Sequence, residues 1–155
     1  MKKYLFILLA ILLVGCSSNE TEEVLKPGAS IPFEIIKYAD MIAPIYMNQV
    51  PYIAYAENEG QFNLLKARFK VDDIQMDMDK YIAVFVVTQS DSCGVVVDGV
   101  YDNSKKLSVQ LLEPKGESCE VDPLNHTFVI QVEKGDYEKV QLYNGNIMKS
   151  SMDIN

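Results

Sequence analysis

Apolar and polar positions follow several distinct rhythms along this chain, and the rhythms divide it into a leader, a polar stretch and a domain. Residues 5–13 are an unbroken apolar run behind Lys2 and Lys3, closed by Leu13-Val14-Gly15-Cys16. A short apolar run between positive charge and small residues is the pattern of an export signal, not of a fold element. It also falls short of the roughly 20 residues that a transmembrane helix needs. Residues 17–26 are polar and acidic, and Pro27-Gly28 follows. That composition predicts a flexible tether over residues 16–30, with the folded domain spanning 31–155.

Within the domain the period switches between strand and helix. Residues 31–38 are apolar enough for a first strand, with Pro32 near its start. Pro44 and Pro51 interrupt the next stretch, which predicts irregular or short helical structure over 41–50. A strand is expected at 52–56. Phe62, Leu65 and Phe69 then fall at i, i+3 and i+7, one face of an amphipathic helix over 57–70. Residues 81–88 are apolar at every position but the last, as a strand covered on both faces should be. Residues 93–101 are rich in valine. Leu107, Val109 and Leu111 alternate with Ser108 and Gln110, and Phe128, Ile130 and Val132 repeat that alternation. Val140 and Leu142 echo it. Asp102-Asn103-Ser104 supplies turn residues between two of these strands, and short turns imply antiparallel neighbours. The expected fold class is α+β, a mainly antiparallel sheet with one amphipathic helix packed against it, in a single small domain.

The closing residues of the leader sharpen its meaning. Leu13-Val14-Gly15-Cys16 resembles the lipobox of bacterial lipoproteins. The resemblance implies cleavage between Gly15 and Cys16 and a diacylglyceryl thioether on Cys16. Residues 1–15 are then a lipoprotein signal peptide, and the protein is expected on the extracytoplasmic side of the cell membrane. If the cell has an outer membrane, Ser17 after the cysteine resembles the pattern of lipoproteins sent onward to it. Two acyl chains anchor stably where one is marginal.

Removing Lys2 and Lys3 with the leader leaves 12 basic against 22 acidic side chains, a formal net charge of −10. Such a surface repels nucleic acid and anionic lipid, so neither is an expected partner. Lipidation of Cys16 leaves Cys93 and Cys119 in an oxidising compartment, where two cysteines usually pair. The proposed strand order brings both to one end of the sheet. A free thiol pair and soft-metal ligation are the alternatives, and no third or fourth metal ligand is visible.

Catalytic signatures are missing from the sequence. His126 is the single histidine, so a two-histidine zinc motif is excluded, and the residue reads as a satisfied surface histidine unless a serine or carboxylate reaches it in a cleft. There is no nucleophile elbow and no phosphate loop. Asp72, Asp73, Asp77 and Asp79 crowd one link but lack the spacing and turn glycine of an EF-hand, so they read as a solvated loop. Met41, Met47, Met76, Met78, Met148 and Met152 could offer thioethers to copper, but methionine is also common core filler. No metal and no cofactor are expected, and the protein is not expected to be an enzyme.

Residues 79–133 carry a further resemblance. The pattern is Asp77-Met78-Asp79-Lys80-Tyr81-Ile82-Ala83-Val84-Phe85, then Ser90-Asp91-Ser92-Cys93-Gly94-Val95-Val96-Val97, then a strand ending in Glu113-Pro114 and the strand at 128–132. It is similar to the small domain of lipoproteins of the protease complex subunit PrcB-like family. The resemblance implies a non-catalytic accessory or binding module for a surface protein or protease, and it transfers no catalytic residue. A small-molecule or metal-binding lipoprotein is the alternative, to be recognised by a pocket lined with convergent Tyr and Asp side chains.

Overall fold

A strand with no polar face needs cover on both sides, and the architecture is arranged around that need. The computed structural model describes residues 23–40, 50–116, 118–120 and 122–154. The leader, Cys16, Met41 and Met47 lie outside the described residues, as does the 41–49 stretch expected to be irregular or short helical.

Strand β4 (Tyr81–Ser90) pairs antiparallel with β3 (Tyr52–Ala56) and with β7 (Leu124–Glu133), and β7 pairs with β2 (Phe33–Asp40). These form a four-stranded sheet in the order β2-β7-β4-β3. A second sheet of five strands runs in the order β1 (Ala29–Ser30), β5 (Val96–Asp102), β6 (Lys106–Leu112), β8 (Lys139–Asn144), β9 (Ile147–Asp153). Every pair is antiparallel except β6–β8, which is parallel because the chain visits the other sheet as β7 between them. The described residues are thus mainly antiparallel sheet with one short helix among them, α1 (Glu59–Phe69).

Alternate residues of β4 serve two cores, which explains its unbroken apolar run. Ile82, Val84 and Val86 face the second sheet and bury with Leu107, Val109 and Leu142. Ala83, Phe85 and Val87 face the other way. There the Phe85 ring lies 6.0 Å from Phe62 and 5.1 Å from Phe69, both of α1, in tilted geometry. Burying each such side chain is worth about 1.5–3 kcal/mol. Asn58 caps α1 by accepting a bond from the Gln61 amide at 3.0 Å, and Lys70 ends it in the left-handed conformation at φ 55°.

Two features depart from the sequence reading. The strands divide into two sheets, the chain changing layer between β1 and β2, β4 and β5, β6 and β7, and β7 and β8. The tether expected through residue 30 is seated from residue 23 onward. Val24 bridges Ile147, the Leu25 amide donates to the Asn146 carbonyl at 2.8 Å, and β1 pairs with β5. Leu25 is buried at 4% exposure, which gives this polar-looking segment its apolar anchor.

Candidate functional site

Strands β2, β7 and β4 lie side by side, so a polar residue at the same end of each makes a row across the sheet. Asp40 on β2 stands opposite His126 on β7, and His126 stands opposite Thr88 on β4, one diagonal step from Ser90. All sit on the face toward the second sheet, with the same strand parity as Phe128 and Val86. Ser90 Oγ lies 2.8 Å from His126 Nε2, and His126 Nδ1 lies 2.9 Å from the Tyr38 hydroxyl and 3.2 Å from Asp40 Oδ1. Tyr38 also donates a short bond to Asp40. Ser90 Oγ reaches the Asp91 carbonyl at 2.9 Å.

His126 is therefore satisfied, but it is not a surface residue. It is 2% exposed, because its strand position faces the inter-sheet space. Ser90 is 7% exposed, whereas the Asp40 side chain is 65% exposed. Tyr38 is half-exposed, with its hydroxyl tucked inward on His126. That desolvation, aided by the Asp40 carboxylate, pushes its phenol up to about 12, so it remains a donor. Sequence reasoning singled out His126 alone. The signal for its partner was present in β4, where Thr88 and Ser90 continue the inward parity of Val84 and Val86 with polar groups.

Cys93 and Cys119 form a disulfide at this same end, with Cα atoms 5.3 Å apart. The Asp91 carboxylate accepts from the Cys93 amide at 2.9 Å, and Ser92 and Glu120 exchange bonds beside it. Asp91, Cys93 and Cys119 are the one set of three potential metal ligands brought together among the described residues. Two of the three are sulfurs already joined to each other, which removes them as thiolate ligands.

The acidic link does not gather its carboxylates around a common point among the described residues. Asp73 pairs with Lys37 at 2.5 Å, and Asp77 accepts from the Asp79 amide at 3.1 Å. Met78 is buried in the cluster around Phe85 and Met76 packs against it, so both act as core. Met148 and Met152 are on β9, where the Met148 sulfur meets the Gln141 amide.

A broad open cleft of about 840 Å³ lies where residues 23–26 cross the outer face of the five-stranded sheet. Glu23 accepts from Lys106 at 3.2 Å and from Gln141 at 3.3 Å, and the Tyr143 hydroxyl donates to Gln141 at 3.2 Å. The bonds from Gln141 and then Lys106 hold the Glu23 carboxyl below its ordinary range. Among the described residues no buried side-chain polar atom is left without a partner.

In comparisons with known proteins the chain matches no family model, no curated protein and no solved structure.

Proposed function

We propose that this protein is a lipid-anchored extracytoplasmic binding or accessory module, non-catalytic, held at the cell membrane through Cys16. The observation that carries the reading is the distribution of its three cysteines. Cys93 and Cys119 are joined to each other inside the domain, which suits an oxidising compartment. The remaining cysteine is Cys16, directly behind the apolar leader and in the Leu-Val-Gly-Cys sequence. The resemblance of residues 79–133 supports a surface protein or protease as the partner.

One observation favours a second reading. Ser90, His126 and Asp40 stand in the order of an acyl-transfer triad, serine on one imidazole nitrogen and carboxylate on the other. The surroundings oppose it. The carboxylate that should be shielded is open to water, the serine hydroxyl is shared with the Asp91 carbonyl, and Tyr38 competes for the same imidazole nitrogen. We read the row as a polar stitch across three strands. The small-molecule alternative gains little from the cleft, whose polar groups already satisfy one another.

Changing Cys16→Ala tests the anchor. Metabolic labelling with a fatty acid should mark the wild type and leave the variant unmarked, with the variant released or unprocessed. Equal labelling of both would refute the lipid anchor. A fluorophosphonate that labels the folded domain at Ser90 would instead establish the hydrolase reading.

A further inference from the structure

We infer that the corner formed by Val24 and Ile147, with the outer face of the five-stranded sheet behind it, is the surface this domain turns toward the lipid bilayer. The inference rests on the lipid-anchor reading and adds to it an orientation.

Seating of the segment at residue 23 sets the length of the leash. Seven residue steps separate Cys16 from Glu23, and a fully extended chain covers at most about 25 Å in that span. A domain of this size has a radius of gyration of roughly 14 Å, hence a diameter of roughly 35 Å. A path from the seat around to the far side of the domain is longer than the leash. A tether free through residue 30 would span at most about 50 Å and would restrict nothing.

The seat is firmly made and its direction is defined. The Met148 amide donates to the Glu23 carbonyl at 3.2 Å, and the Leu25 amide donates to Asn146. Glu23 bonds to Gln141, which alternates with the inward Val140 and Leu142 and so belongs to the outer face of its sheet. The cluster holding Ile74, Phe62 and Phe69 is on the opposite side of the molecule, behind the four-stranded sheet. The bilayer therefore meets the five-stranded sheet, and α1 with the acidic link points outward.

Residues at the seat suit an uncharged contact with lipid. Val24 and Ile147 are directly opposed across an antiparallel bridge, which puts their side chains together, and they are 55% and 39% exposed. Lys26 and Lys149 follow each of them by two positions, and the sequence ahead of the seat carries Glu20 and Glu22 against those charges. The occupant fitted is the headgroup boundary of a zwitterionic bilayer, reached through the anchor and touched through the apolar pair.

The test uses the lipidated mature protein in phosphatidylcholine nanodiscs carrying a gadolinium-chelating headgroup lipid, with isoleucine methyl groups observed by NMR. The Ile147 methyl should relax several-fold faster than that of Ile74. Inserting a fifteen-residue Gly-Ser spacer between Ser18 and Asn19 should remove that difference. Equal relaxation at Ile147 and Ile74 in the unextended protein would overturn the orientation while leaving the anchor intact. Failure of the protein to carry lipid at all would sink the anchor reading itself.

Discussion

At the scale of single residues, His126 shows how a polar group is accommodated at the end of an apolar core. Burial of an imidazole is tolerated because each ring nitrogen has a partner, Ser90 on one side and Tyr38 with Asp40 on the other. Replacing Ser90→Ala removes the inner partner and leaves a buried nitrogen unmatched. The expected cost is about 1–3 kcal/mol, read as a lower urea midpoint with an unchanged slope. No loss on substitution would mean that water or the Asp91 carbonyl takes over the bond. The histidine itself was visible in the sequence, but its partners were not. Asp40 and Ser90 are 50 positions apart, and only the pairing of β2 and β4 on either side of β7 brings them to one imidazole.

Among the elements, those with a strong period were legible and those held by context were not. Strand β4 and helix α1 declared themselves through an unbroken apolar run and through Phe62, Leu65 and Phe69. The hairpin of β5 and β6 was legible from its turn residues, where Ser104 and Lys105 both take positive φ. Strand β9 was missed. Its residues Ile147-Met148-Lys149-Ser150-Ser151-Met152-Asp153 show no alternation, although Asn144-Gly145 ahead of them is a strong hairpin signal and Gly145 has φ 56°. The segment at residues 23–28 was also missed, since one buried leucine among charges reads as linker. Its hold on the sheet should depend on pH. The Glu23 carboxyl titrates lower in the folded protein than in the unfolded chain, so its contribution is complete above the ordinary value of 4.5 and disappears as acid protonates it. The Leu25 and Met148 amide shifts should therefore move together below that pH, while those of β4 stay fixed. Glu23→Gln should abolish the movement. The edge strand β2 has a different safeguard, a bulge at Ile36 between Glu34 and Lys37, and both devices discourage another strand from adding there.

For the whole molecule, the disulfide and the layer change belong together. Cys93 precedes β5 and Cys119 follows β6, so the bond closes the base of the hairpin just where the chain leaves one sheet for the other. The sequence separation of 26 corresponds to about 3–4 kcal/mol in the chain-entropy account. Reduction should lower the melting temperature by several degrees, and thiol titration of the unfolded, unreduced domain should find neither Cys93 nor Cys119 free. Two reactive thiols there would remove the staple. The cysteine pairing was foreseen from the sequence, because two cysteines were left in an expected oxidising compartment and the strand order brought them to one end of the sheet. The division into two sheets was not, because β6 and β7 have the same alternation and nothing in that pattern says which layer a strand joins.

The contact between Val24 and Ile147 has a further consequence, which concerns time. It spans more than a hundred positions, joining the segment that follows the proposed anchor to the β8–β9 hairpin. A chain that emerges from a membrane N-terminus first cannot make this contact until residue 147 has followed. Its central strands are free to pair earlier, and on the proposed anchor the leash would then still include residues 23–30. On the proposed lipid anchor, closure of the β8–β9 hairpin would take up the slack and draw the domain down to the surface. Shortening of the leash would then mark the end of folding, and a protein arrested before that step would stand farther from the membrane and rotate more freely than the finished one.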